Sequence, residues 1–295
     1  MTAMSKEDTS KSFDSARRDR AIGAILVDAG RLTSSDVAEI QAFADNSGLL
    51  FGEAAIKLKR ITAGDLDVAL ARQFNYPVLP VGPGGVVTAE VLAAYDPQCE
   101  AVEDLRTVRS RLVIDWLHRT DRNLVTIVSP HHGEGRSWFA ANLATVFAQA
   151  GERTLLIDGD MRNSRQHRLF NLDNTVGLAS LLTGRAGKDA AQRVHPDLRL
   201  YVMPAGIAPP NPQELLTRPL FGVVIDGFAK QFDVVIFDSP AAQHTADAEL
   251  LAARTGAALM VARRGHTSEV ALKSTFKSLT RANVQVLGSV INDYT

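Results

Sequence analysis

The chain has 295 residues, 45% of them apolar, and a formal net charge of −1. That length allows one large domain plus a small one, and the charge balance gives no basic surplus to hold nucleic acid or an anionic membrane. The single cysteine, Cys99, excludes an internal disulfide and fits a reducing compartment, and no apolar run approaches the roughly 18 residues of a membrane span.

In chain order, residues 1–20 are polar and charged, lack the apolar core of a secretion signal, and read as a disordered lead-in to a cytoplasmic protein. Residues 21–79 carry a weak internal repeat: "AIGAILVDAGRLTSSDVAEIQAF" from Ala21 and "LFGEAAIKLKRITAGDLDVALARQ" from Leu50. Thr33 and Thr62 each precede an acidic residue and an apolar run, the pattern of a helix N-cap. Each half therefore reads as helix–turn–helix, and together they make a small helical N-terminal domain. Residues 80–100 open on clustered Pro and Gly and read as a linker, interrupted by a short helix from Ala89 to Tyr95.

From residue 101 the texture changes. "VEDLRTVRSRLVIDWL" has a helical period. Apolar runs of strand length then alternate with helical stretches: "LVTIVS", "TLLID", "LRLYVMPAG", "FDVVIFDSP", "GAALMVARR" and "VQVLGSVIND". Continuous apolar strands separated by helices predict an α/β domain over 101–295 with a doubly wound, mostly parallel sheet. A ligand of such a sheet belongs at the carboxyl ends of the strands.

Chemistry-bearing residues gather at those ends. "LVTIVS" runs into "PHHGEGRS" and then into the helix "WFAANLATVFAQA", so a strand, a Gly-rich turn and a helix follow one another as a phosphate cradle requires. Gly133 and Gly135 let the backbone fold around an anion, and the helix start offers unpaired N–H groups. Ser137 is placed to ligate Mg²⁺. "LLIDGDMR" ends a strand with Asp158, Asp160 and Arg162, two carboxylates at i and i+2 that can serve one ion. "VVIFDSPA" ends another with Asp238, placed to orient a water. His131 and His132 read as polar loop residues or as phosphate contacts.

These motifs resemble those of the bacterial tyrosine kinases of exopolysaccharide export, within the ParA/MinD-type P-loop ATPases. "HHGEGRS" is similar to their Walker A loop, "LLIDGDMR" to their second strand-end Walker motif, and "VVIFDSPA" to Walker B, with Ala241 where a second Pro is usual. "MPAGIAPPNPQELL" resembles a shared stretch, and it predicts a helix with Asn211 as N-cap, Pro212 first and Glu214 completing a capping box. Glu103, Arg106 and Arg109 match an E-x-x-R-x-x-R pattern, on one helical face, through which the family joins its subunits. Asp247 matches an Asp beyond Walker B. The front repeat resembles the N-terminal domain of type II secretion and pilus ATPases, and the combination resembles chain-length-determinant kinases of the EpsG type. Cyclic di-GMP-binding relatives of that repeat use Arg and Gly where Ala21, Leu50 and Lys59 stand here, so the resemblance implies a docking role.

The resemblance implies ATP and Mg²⁺ as ligands. His132, Gly133, Glu134, Gly135, Arg136, Ser137, Trp138, Arg162 and Asn292 would hold the nucleotide, with Asn292 at the adenine. Ser137, Asp158 and Asp238 would hold the metal. Arg136, Asp158, Asp160 and Asp238 would carry catalysis, with Asp160 as base for a tyrosine hydroxyl. It further implies a homo-oligomer recruited to the inner membrane by a membrane polysaccharide co-polymerase. Three departures stand out. Arg136 replaces the Walker Lys, and a planar fork is not a point charge. Trp138 replaces a small residue. The tyrosine-rich tail is missing, leaving Tyr294 alone near the end. A pseudokinase scaffold and a ParA-like positioning ATPase are the alternatives.

Overall fold

The computed structural model describes residues 22–73, 77–79, 85–117, 122–187, 190–243 and 245–293. The expected lead-in 1–20, Ala21 and Tyr294 lie outside them. The chain divides into two compact units, Met1–Val78 and Leu79–Thr295.

In the first unit, helices α1 (22–28) and α2 (Ser34–Ser47) are echoed by α3 (Phe51–Lys57) and α4 (Ala63–Gln73). Both repeats close on a Thr–Asp capping box. Asp36 N donates to Thr33 Oγ1 at 3.2 Å while Thr33 N donates to Asp36 Oδ2 at 2.9 Å. Asp65 and Thr62 do the same at 3.2 and 3.0 Å. The turn before each cap needs a left-handed residue: Gly30 in one half, with φ 67°, and Lys59 in the other, with φ 55°. The halves also exchange ion pairs. Arg31 of the first reaches Asp65 of the second at 3.2 Å, and Arg60 of the second reaches Asp36 of the first at 3.4 Å. Ile22, Leu26, Ile40, Phe51, Ala54 and Ala69 form the shared core.

The second unit begins with α5 (Leu92–Tyr95) and α6 (Glu100–Asp115). Strands β1 (Leu124–Val128), β2 (Thr154–Asp158), β3 (Gln192–Arg193), β4 (Leu200–Met203), β5 (Val234–Asp238), β6 (Ala257–Arg263) and β7 (Gln285–Asn292) form one sheet in the order β3-β4-β2-β5-β1-β6-β7. All neighbours are parallel except β3 and β4. Between strands lie α7 (Arg136–Gln149), α8 (Gln166–Leu169), α9 (Leu178–Leu182), α10 (Pro212–Leu216), α11 (Pro219–Ala229), α12 (Asp247–Thr255) and α13 (Glu269–Arg281). Successive residues of β5 alternate between two cores: Val234 and Ile236 face α7, while Val235 and Phe237 meet Phe221 and Phe228 of α11. Burial on both faces is why these strands are continuous apolar runs.

Three expectations are corrected. Among the described residues of the expected linker, 80–100, Val87, Val91, Ala93 and Ala94 are buried in the main core, beside Leu79. Polar residues of α7 hold them there. Asn142 accepts from Ala93 N at 3.0 Å and donates to Glu90 O at 3.0 Å, and Gln149 donates to Ala93 O at 2.6 Å. The short helix starts at Leu92, not Ala89. At α10, Pro212 occupies the first position, but Asn211 makes no side-chain cap. Its amide donates to Glu214 Oε1 at 3.1 Å instead, so the capping box is not formed.

Candidate active site

The loop between β1 and α7 turns on two left-handed glycines, Gly133 (φ 75°) and Gly135 (φ 87°). A Cβ on Gly135 would lie 1.9 Å from the amide nitrogen of Asn292, so the close approach of β7 also demands glycine. Asn292 donates to Glu134 O at 3.1 Å, and Arg263 donates to Gly133 O at 3.3 Å. Glu134 is buried: one carboxylate oxygen accepts from His131 N at 2.8 Å and the other from the Thr267 hydroxyl. Glu134 and Asn292, expected at the nucleotide, thus shape the loop from the β6–β7 side.

Arg136 opens α7 and is only 6% exposed. Its guanidinium turns inward, donating to Ser129 Oγ at 2.7 Å and to Asp238 Oδ1 at 3.3 Å, with Asp160 Oδ2 at 3.6 Å. Two hydrogen bonds and an ion pair are spread around a planar fork, where a lysine would offer a single point charge.

Asp158 and Asp238 end the adjacent strands β2 and β5, in register. Asp238 also accepts hydrogen bonds from Ser137 and from the Gln166 amide, the latter at 2.8 Å. Asp158 is differently engaged. Its Oδ2 accepts from Arg165 N and Gln166 N, both at 2.9 Å, and its Oδ1 from Asp160 N at 3.2 Å. Gly159 lies beyond the strand end, so the i, i+2 alternation does not carry through. Asp160 Oδ1 caps the following turn, accepting from Arg162 N and Asn163 N at 3.2 and 2.8 Å, and only Oδ2 faces Arg136. Asp158 thus faces backbone donors and Asp160 faces a turn and Arg136, while Ser137 and Asp238 are joined directly by a hydrogen bond.

Burial pushes the Asp158 carboxyl well above the usual carboxylate range, and the neighbouring Asp238 charge adds to it. Burial also raises Asp238, against the pull of Arg136. Asp160 and Asp238 flank one guanidinium, and Asp158 stands beside Asp238 on the next strand, a donor set short of positive charge. A hard divalent cation fits that set. Magnesium keeps most of its ligands as water and phosphate oxygens, so a hydroxyl and one carboxylate suffice as protein contacts.

Arg162 pairs with Asp247 at 2.9 Å. Trp138 packs against the main core, while His132 is exposed and His131 lies edge-on to His266. On α6, Glu103 and Arg106 pair at 2.6 Å, and Arg109 donates to Val146 O of α7 at 3.4 Å. Sequence reasoning missed Ser129, Gln166, Arg263 and Thr267. Ser129 directly follows β1 at the entrance to the loop, the one position among them with a signal in the sequence.

A glycine-rich loop at the C-terminal edge of a parallel sheet, feeding a helix and flanked by two strand-end carboxylates, defines a P-loop protein of the ParA/MinD class. The septum site-determining protein MinD of Pyrococcus horikoshii, complexed with Mg-ADP, shares this fold at TM-score 0.51 and 22% identity, over 58% of this chain and 70% of that one. The family described as cellulose biosynthesis protein BcsQ matches residues 122–294, more than half of the chain. Tyrosine-protein kinase YwqD of Bacillus subtilis is 34% identical over 71% of this chain and 88% of its own length. The putative tyrosine-protein kinase EpsB of Ralstonia nicotianae is 37% identical over 68% of this chain, but the chain spans only about a quarter (27%) of EpsB. The kinase domain of the Escherichia coli tyrosine kinase ETK matches at TM-score 0.66 and 30% identity, over 68% of this chain and 79% of that one. The chain belongs to the family described as cellulose biosynthesis protein BcsQ and is a relative of the bacterial tyrosine-protein kinases.

Proposed function

We propose that the chain binds Mg·ATP at the loop 133–137 and transfers its terminal phosphoryl group to protein tyrosine within a polysaccharide-export machinery. The observation that carries the reading is the buried cluster of Arg136, Asp160 and Asp238 beneath the loop, joined by the hydroxyl of Ser137. In the bound state, backbone N–H groups at the start of α7 cradle phosphate oxygens. Ser137 and Asp238 would hold a magnesium ion, which would supply positive charge against the phosphates. Asp158 organises the floor from which Asp238 works. Arg136 offers phosphate a bidentate fork, and Asp160 takes the proton of the tyrosine hydroxyl. His132, Gly133, Gly135, Trp138 and Arg162 complete the nucleotide's surroundings, with Asn292 between the loop and the base.

Family likeness also supports a cytoplasmic homo-oligomer formed through the α6 face of Glu103, Arg106 and Arg109. It would be recruited to the inner membrane by a polysaccharide co-polymerase. No helix among the described residues is long and apolar enough to cross a membrane. The N-terminal repeat would serve as the docking unit.

The test is ATP turnover and phosphotyrosine formation by the purified chain with the cytoplasmic segment of such a co-polymerase. Asp160→Asn should lower phosphotransfer by about 10²–10⁴-fold, the usual range for a lost acid–base group. Tight Mg·ATP binding without turnover in the wild type would instead establish the second reading, a nucleotide-sensing pseudokinase. One observation favours that second reading: Arg136 already has two protein acceptors and an ion pair with Asp160, and must leave some of them to follow a phosphate.

A further inference from the structure

Gln166 is the first residue of α8 and is completely buried. Nothing in its sequence context marks it, yet it touches all three walls of the site. Its backbone N–H donates to Asp158 at 2.9 Å. Its side-chain amide donates to Asp238 Oδ2 at 2.8 Å and to Ser137 O at 3.0 Å. Both of those neighbours are pure acceptors, so the NH₂ group must face them, and the orientation of the amide is fixed. Oε1 is then the opposite end. It is buried, and among the described residues it has no hydrogen-bond partner. An orphaned buried acceptor is costly unless some donor reaches it.

We propose that Gln166 is the positioning residue of the metal half of this site: it ties the Asp238 carboxylate to the first turn of α7, so that Asp238 and Ser137 converge on one magnesium ion. The proposal rests on the Mg·ATP reading. Asp238 Oδ2 is held by the amide, and Oδ1 is left to Arg136 and to whatever cation replaces it. The orphaned Oε1 supplies an acceptor for a donor that is not protein, and water bound to a hard cation is a strong donor. Partners that orient a metal ligand in this way commonly matter by about 10–100-fold in metal affinity.

The experiment uses the full chain with ADP, titrated by calorimetry in excess Mg²⁺ and separately in a chelator. Gln166→Met keeps the length and volume of the side chain and removes the amide. The expected result is metal-free ADP affinity within about twofold of wild type, and Mg²⁺ affinity in the presence of ADP lowered about 10–100-fold. Unchanged Mg²⁺ affinity would overturn the proposal. So would an equal loss of metal-free and Mg-bound ADP accompanied by a lowered melting temperature, which is what a merely structural role predicts. If Gln166→Met melts too early to titrate, Gln166→Glu takes its place. It is nearly isosteric and sets a carboxylate against Asp238, and the same selective loss is expected. A wild-type chain that binds no Mg·ADP would remove the underlying reading and this proposal with it, an outcome visible before any variant is made.

Discussion

In the helical unit, Asp36 and Asp65 sit at helix starts, where threonine caps and backbone N–H groups hold their carboxyls below the usual range. In the sheet unit, Asp158 and Asp238 are driven the other way by burial, with the Asp238 charge adding to the shift of Asp158 and the Asp160 charge to that of Asp238. The first pair serves the fold. The second works against it at neutral pH and is kept in place by a buried guanidinium and a row of N–H donors. Carboxylates concentrated against their own ionisation are the mark of a site, and carboxylates eased into ionisation are the mark of a scaffold.

The largest effect that would sharpen this contrast is removal of the guanidinium. Arg136→Ala leaves Asp238 and Asp160 buried without their cation, and should cost about 3–5 kcal/mol, seen as a lower melting temperature of the metal-free chain. Recovery on adding Mg·ADP is expected, and a variant as stable as wild type would break the contrast.

Acid comes next. Groups with lowered folded pKa values contribute stability above the usual carboxylate range and lose it as pH falls through the folded values. Groups with raised values contribute stability at low pH and lose it as pH rises through those values. Acidification from about pH 6 to about pH 3 should therefore strip support from the helical unit while relieving Asp158 and Asp238. Both tryptophans, Trp116 and Trp138, belong to the sheet unit. Loss of far-ultraviolet dichroism should thus precede the change in tryptophan fluorescence, and coincident transitions would contradict the comparison.

A smaller effect tests the caps. Thr33→Ala and Thr62→Ala should each cost about 1 kcal/mol, read as faster amide exchange in residues 22–73 with none in the sheet. Smallest are the exchanged ion pairs. Arg31 and Arg60 are largely exposed, so Arg31→Ala or Arg60→Ala should change stability by only about 0.2–1 kcal/mol, and less at high salt.

Much of the fold is legible in the sequence because a strand buried on both faces has no choice but to be continuously apolar. All six expected runs are strands, five of them largely buried and the sixth, β7, an edge strand with no buried residue. β3 escapes because two residues, Gln192 and Arg193, carry no periodicity. Residues 80–100 mislead because Pro and Gly dominate their opening, while what holds Glu90 and Ala93 lies far along the chain on α7: Asn142 and Gln149, seven apart on one face. The loop residues and strand-end acids are legible as chemistry, since glycine and aspartate at those positions have few other uses. Their division of labour is not. That Asp158 faces backbone, that Glu134 folds the loop and that Gln166 bridges the walls depend on which way a side chain turns after its strand has ended.

The exchanged pairs of the helical unit have a consequence for how it can change. Arg31 answers to Asp65 and Arg60 to Asp36, so each half is completed only by the other, in the manner of a dimer whose two copies were fused end to end. A lesion in one half is paid by both. Lys59 stands in the left-handed turn where its counterpart is Gly30, so the same turn carries a backbone cost in one half and not in the other.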